Sequence, residues 1–378
     1  MKHKGKILYL VAEDWYFCSH RLQLACAVRK EGYEVVVATR VTSHGDEITR
    51  HGLKLIPIGM RRRGLNPLYE LSSLLELIRI YRRECPDIVH HVALKPVIYG
   101  SLAASITGVP AKINALAGLG YIFSSDSIKA RILRPIVRLM FRGLLNRPNS
   151  QVILQNPDDM GVLLQERIIR AECARLIRGA GVDLHTFSVT PESDDIPIVL
   201  LASRMLWDKG VGEFVEAAHH LRNQGVIARF VLVGEGDPDN PGSIPDTQLQ
   251  QWQEEGAVEW WGREKDMADV MRQAHVVCLP SYREGLPKVL LEAAASGRPI
   301  VTSDAPGCRE IVKHGENGSL VPVKQSKSLA DALEHLISDP HLRQQMGKRG
   351  REIVESEFSS DQVIKETLAL YSSIARAN

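Results

Sequence analysis

Cysteine is sparse and scattered. Six occur in 378 residues, at Cys18, Cys26, Cys85, Cys173, Cys278 and Cys308, with no C-x-x-C pair. Such spacing excludes a disulfide scaffold and a structural zinc ribbon, and points to buried or free thiols in a reducing compartment. Aromatic residues make up only 6% and do not interleave with the basic clusters, which argues against nucleic acid as a partner. Proline is limited to 19 residues while 44% of the chain is hydrophobic, so a disordered or fibrous chain is excluded as well. Long apolar runs are missing too. Behind Lys2, Lys4 and Lys6, the stretch Ile7–Ala12 is cut short by Glu13 and Asp14, too early for a signal-peptide core. Nothing approaches the ~20 apolar residues of a membrane span. A soluble, cytoplasmic protein is expected.

Net charge is only +2, but it hides an asymmetry. Residues 1–188 hold 27 Lys and Arg against 16 Asp and Glu; the remainder hold 20 against 29. One lobe is basic and one acidic, and the basic lobe is expected to meet something anionic. Within it, Arg131, Arg134, Arg138 and Arg142 recur at helical spacing, opposite Ile132, Leu133, Ile136, Val137 and Met140. Such a helix either lies on an anionic membrane surface or turns its apolar stripe to its own core. Pro135 predicts a kink or a late start. Further basic clusters are Arg61, Arg62 and Arg63, and Arg79, Arg82 and Arg83.

Short apolar, β-branched runs alternate with helical patterns in both halves. Strands are expected at 6–11, 34–38, 53–57, 87–91, 111–114 and 151–154, then at 197–202, 229–233, 258–261, 275–279 and 299–302. Alternation with nearly all-apolar strands predicts α/β domains, each a doubly wound parallel sheet covered on both faces. Gly179–Asp183 and the polar stretch Val189–Asp195 place the boundary near 188, giving domains 1–188 and 189–378 facing a cleft. After Val323 the pattern is helical, and the last helix, 361–376, is expected to cross back to the first domain. In such sheets ligands bind beyond the carboxyl ends of the strands.

The strongest local signal runs from Pro280 to Gly297: strand end, loop, helix. Pro287 suits a first helical turn and Gly297 a C-terminal cap. Amides of Gly285, Leu286, Lys288 and Val289 would then form an anion site at the helix start. Glu284 and Glu292 flank that start. Eight helical steps separate them by ~12 Å, too far for a glycosidase pair, which needs ~5–9.5 Å. They suit instead the hydroxyls at two ends of an extended ligand. After the strand 197–202, Arg204 and Lys209 stand at the same sheet edge, a cation pair fit for a diphosphate. Asp237-Pro-Asp239 mimics a metal-binding acidic pair but has no third ligand in its Gly/Pro-rich loop, so no metal or other cofactor is expected.

Arg204-x₄-Lys209 followed by Glu284-x₇-Glu292 resembles the donor site of retaining glycosyltransferases of family 4, which have the two-domain GT-B fold. The segments Gly181–Phe187, Pro299–Ile311 and Gly315–Gly318 are similar to that family as well. The resemblance implies that Arg204 and Lys209 hold the donor diphosphate, with Glu284 on sugar hydroxyls and Glu292 on the ribose. The backbone of Gly285, Leu286, Pro287 and Lys288 would sit beside the sugar and phosphates, and Gly262-Arg263 beside the base. On that basis Glu284, Arg204 and Lys209 are the catalytic candidates.

In the first half, Phe17-x₂-His20-Arg21, Asp87–His91, Lys95-Pro96 and Gly118–Phe123 resemble bacterial enzymes that add N-acetylhexosamines, often N-acetylgalactosamine, to polyprenyl-diphosphate-linked saccharides. That implies a UDP-sugar donor, precursors of O-antigen or capsule, and a peripheral place on the inner face of the bacterial inner membrane. His20, His91, Lys95 and Tyr121 are the acceptor candidates. Two departures stand out. Glu13-Asp14-Trp15-Tyr16 replaces the glycine pair of many relatives, and Ala117 stands where they carry a histidine. The rivals are a UDP-sugar 2-epimerase of similar architecture and a non-catalytic membrane scaffold. A nicotinamide dehydrogenase is weaker, because Asp239 occupies the place of the third glycine after Gly234 and Gly236.

Overall fold

The computed structural model describes residues 4–62, 66–119, 123, 128–238 and 240–376. The chain divides into two units, Met1–Ala180 with Gln362–Asn378, and Gly181–Asp361. The break thus falls before the expected 188, because Val182 and Phe187 are buried in the core of the second unit.

The first unit is built on seven strands: β1 Lys6–Glu13, β2 Glu34–Arg40, β3 Lys54–Pro57, β4 Ile88–Val92, β5 Ala111–Ala115, β6 Ser150–Leu154 and β7 Ala174–Leu176. They pair in the order β3-β2-β1-β4-β5-β6-β7, all parallel. Alternation along β1 sends Ile7, Tyr9 and Val11 to one face and Leu8 and Leu10 to the other, and both sets are buried. Each face therefore needs its own helices. On the first lie the helix Leu22–Lys30 and the terminal helix Ser360–Arg376, through Val363, Leu370, Tyr371 and Ile374. On the second lie three helices side by side, Pro67–Glu84, Leu94–Thr107 and Ile128–Leu145.

The Ile128–Leu145 helix is continuous, with Pro135 inside it. Val137, Phe141 and Leu145 face the core, yet Ile132, Ile136 and Leu139 on the opposite side are 62%, 52% and 71% exposed. Its apolar arc is therefore divided between core and solvent, a third arrangement beside the two expected. Arg138 is paired with Glu166 at 2.6 Å and Arg142 donates to the Glu166 and Arg167 carbonyls.

The second unit has six parallel strands: β8 Ile198–Ala202, β9 Arg229–Val233, β10 Glu259–Gly262, β11 Val276–Leu279, β12 Ile300–Ser303 and β13 Gly318–Val321, in the order β10-β9-β8-β11-β12-β13. One face packs on Val211–Asn223 and Ser326–Ser338, the other on Lys288–Ala295 and Pro340–Glu357. Among the described residues no helix is long and apolar enough to cross a membrane.

Candidate active site

From β8 the chain proceeds outward to β9 and β10, then returns to β11 on the other side of β8. The loops leaving β8 and β11 therefore diverge, and the carboxyl ends of these two strands are where such a sheet opens to a ligand. The cationic loop follows β8 and the Glu284 loop follows β11.

Two glycines let these loops close on their neighbours. Gly210 has φ +74°, and a Cβ there would lie 2.2 Å from the Pro280 carbonyl oxygen. Gly307 has φ +81°, and a Cβ would lie 2.6 Å from the Glu284 carbonyl oxygen. Any other residue would be strained in both conformation and contact. The approach is fixed by hydrogen bonds. The Tyr282 amide donates to the Asp208 carbonyl at 2.9 Å, Ser281 Oγ to the same carbonyl at 3.2 Å, and the Glu284 amide to Pro306 at 3.0 Å.

Within this frame Lys209 and Glu284 are joined directly, Nζ to Oε1, with both side chains largely buried. Arg204 donates through a terminal guanidinium nitrogen to Asp237 Oδ2 at 2.6 Å. Tyr282 donates to Glu213 Oε1 at 2.6 Å, and Lys324 sits 4.8 Å over the Tyr282 ring. The helix Lys288–Ala295 begins beyond Pro287, whose carbonyl accepts from the Leu290 and Leu291 amides. The amides of Lys288 and Val289 come ahead of those first donors and head the helix at its positive end. Leu286 packs on the core beneath, and Gly285 is buried. One turn on, Glu292 is 5% exposed and bonded to Lys288 at 3.0 Å. Burial raises its pKa, while the Lys288 charge and hydrogen bond oppose the rise.

Gly262 ends β10, its carbonyl accepting from the Gly234 amide at 2.6 Å, and Arg263 beside it is exposed. Arg204, Lys209, Gly262, Arg263, Glu284 and the Gly285–Lys288 run thus all lie at or past the carboxyl ends of one sheet, with Glu292 in the helix that follows. Cations, carboxylates and helix amides so arranged can hold an anion and orient hydroxyls around it. Asp237, read from sequence as half of a metal mimic, is instead the partner of Arg204. Its tie to Arg204 and that of Tyr282 to Glu213 have no sequence signal, since both join segments far apart in the chain.

The acceptor candidates fare differently. His20 closes the helix Asp14–His20, its ring stacked on Tyr16 at 4.1 Å between centroids. Lys95 is held by Glu70 at 2.7 Å and by the Arg61 carbonyl at 2.8 Å. Tyr121 lies outside the described residues. His91 is a correction. It is fully buried in β4, with Nδ1 bonded to Asn114 at 2.8 Å and Nε2 to Tyr81 at 3.0 Å, so its ring is a core group and not a ligand contact. Burial drives its pKa down to about 4, which keeps the ring neutral. Sequence reasoning also passed over Asp14. It accepts from the amides of Thr42, Ser43 and His44 at 2.7–2.9 Å and from Thr42 Oγ1 at 2.6 Å, so it binds the loop after β2 to the end of β1.

The comparisons with known proteins agree with this architecture. Residues 6–155 match the family model described as Glycosyl transferase 4-like, and residues 196–339 match Glycosyl transferases group 1. The chain is 27% identical over 94% of its length, and 95% of the relative's, to N,N'-diacetylbacillosaminyl-diphospho-undecaprenol alpha-1,3-N-acetylgalactosaminyltransferase of Campylobacter jejuni. It is 25% identical over 82% of its length, and 81% of the relative's, to UDP-Gal:alpha-D-GlcNAc-diphosphoundecaprenol alpha-1,3-galactosyltransferase of Escherichia coli. Among solved structures, Anabaena HepE in complex with UDP and glucose superimposes with a TM-score of 0.79 at 18% identity, covering 98% of this chain and 100% of that one. Sucrose-phosphate synthase of Thermosynechococcus elongatus gives 0.83 at 22%, covering 99% and 100%. Two parallel-sheet units, each matched by its own glycosyl transferase model, place the chain among the GT-B glycosyltransferases, and it belongs to their group 1/family 4-like members.

Proposed function

We propose that the chain transfers an N-acetylhexosamine, such as N-acetylgalactosamine, from a UDP-sugar to a saccharide carried on polyprenyl diphosphate, with retention at the anomeric carbon. The observation that carries this reading is the gathering of Arg204, Lys209, Glu284 and the start of the Lys288–Ala295 helix beyond β8 and β11. Departure of the sugar leaves growing negative charge on the donor diphosphate. Arg204 and Lys209 supply opposite charge there and the Lys288 and Val289 amides supply oriented dipoles, so the charge can be met without a metal ion. Glu284, held by Lys209, would accept from sugar hydroxyls. Glu292 would do the same for the ribose, and Gly262-Arg263 would flank the base. The relatives from Campylobacter jejuni and Escherichia coli are both described as forming alpha-1,3 linkages on undecaprenyl-diphosphate saccharides. An alpha product from an alpha-linked UDP-sugar is retention, and in a front-face route the leaving diphosphate oxygen takes the acceptor proton.

The acceptor's lipid requires a membrane nearby. The exposed Ile132, Ile136 and Leu139, beside the exposed Arg131, support docking of the basic unit on anionic headgroups at the inner membrane face. On the same sheet face the Pro67–Glu84 helix exposes Leu68, Leu71 and Leu75. His20, Lys95 and Tyr121 remain the proposed acceptor contacts; His91 is withdrawn.

The test is a screen of UDP-sugars against a synthetic polyprenyl-diphosphate saccharide, reading both product and free UDP. One donor should give acceptor-dependent UDP release, and Arg204→Ala should lower that rate by about 10²–10³, as for loss of a charge-stabilising donor. Release of UDP and free sugar without any acceptor dependence, or an Arg204→Ala enzyme of full activity, would overturn the reading.

A further inference from the structure

We infer that Asp237 is a built-in competitor for Arg204 that weakens the grip on the donor's diphosphate; the inference rests on the proposed donor site. Asp237 lies in the loop after β9, and its carboxylate takes a terminal guanidinium nitrogen of Arg204 at 2.6 Å. It does not hang on a free strand of chain. Its own amide donates to Ser243 Oγ at 2.9 Å. The loop is laced to the one after β8, with Met205 N donating to Glu235 O at 2.9 Å, Trp207 N to Gly242 O at 2.9 Å, and Ile244 N to Met205 O at 2.9 Å. The carboxylate is therefore held beside the guanidinium by the backbone, and Asp237 is largely buried while Arg204 is nearly half exposed.

A fixed carboxylate at that place has two consequences for an arriving diphosphate. The guanidinium nitrogen it occupies has to be shared or surrendered, and the second anion feels the first at short range. Lys209 stands in the same relation to Glu284, but Glu284 is itself assigned to the sugar, whereas the proposed donor site gives Asp237 no part of the donor to bind. The expected result of such competition is a donor and a UDP product bound less tightly than the cations alone would hold them, with faster release of UDP after transfer. Asp237 is thus a positioning residue that acts through Arg204.

Calorimetric titration of UDP and of uridine into the whole protein tests this, using wild type, Asp237→Asn, Arg204→Ala and the double variant. Asp237→Asn should tighten UDP several-fold, up to about fivefold for a partly exposed pair. It should leave uridine, which has no phosphate, unchanged. On the Arg204→Ala background the gain should shrink, because the contested cation is gone. Unchanged or weaker UDP binding by Asp237→Asn would overturn the inference, as would equal tightening of uridine. Those results would leave the donor site standing so long as Arg204→Ala still weakens UDP. Failure of Arg204→Ala to weaken UDP would remove the donor reading itself.

Discussion

Asp14 is the residue whose environment says most about the first unit. Burial works against its ionisation, but the hydrogen bonds from Thr42, His44 and Ser43 outweigh it and hold the carboxyl at about 2. A carboxyl depressed from 3.8 stabilises the fold above its unfolded value and loses that contribution as pH falls from about 4 through 2. Asp14→Asn keeps the shape and removes the charge, and should cost on the order of 2 kcal/mol in urea unfolding at neutral pH. An unchanged midpoint would mean that the loop after β2 does not depend on it. His91 has the same sign. Its pKa lies near 4 in the fold against 6.5 unfolded, so below about 6.5 the unfolded chain takes up the proton first and stability falls until about pH 4. His91→Gln should flatten the stability profile across that window; an unaltered slope would contradict the buried, neutral ring. The donor candidates could be proposed from sequence because they sit in short segments whose residue types carry their own chemistry, and the fold brings those segments to one sheet edge. His91 was misread for the same reason: a histidine at a strand end looks alike in sequence whether it faces solvent or, as here, Tyr81 and Asn114.

At the scale of elements, alternation was a good guide wherever strands are buried on both faces. β1, β2, β8 and β11 are built around nearly continuous apolar runs, and each lies inside its sheet. The strands missed were β7 and β13, three and four residues long and each paired on one side only. An edge strand needs less apolar sequence, so its signal fades into the adjoining turn. The Ile128–Leu145 helix shows the converse. Its periodicity was plain, but periodicity alone cannot say which part of a wide apolar arc meets the core. Fully burying one aliphatic side chain is worth roughly 1.5–3 kcal/mol. Ile132→Ser with Leu139→Ser should therefore lower binding to vesicles rich in anionic lipid by at least about tenfold, measured by co-sedimentation. Wild-type binding should itself weaken with added salt. Equal binding by the double variant would mean that the exposed stripe does not enter the bilayer.

For the molecule as a whole, the chain carries its positive surplus in the first 188 residues and its negative surplus in the rest, although the proposed donor is an anion assigned to the acidic half. Overall charge therefore cannot be what holds the nucleotide there; a few local groups must. Arg204, Lys209 and the head of one helix have to outweigh the field of the surrounding carboxylates. The account stands or falls on UDP titrated calorimetrically into the intact protein in the presence of EDTA, wild type against Arg204→Ala. Saturable binding by the wild type with the metal removed, weakened about tenfold or more by loss of the guanidinium, is the predicted result. Binding that appears only on adding magnesium, or that is indifferent to Arg204, would contradict it.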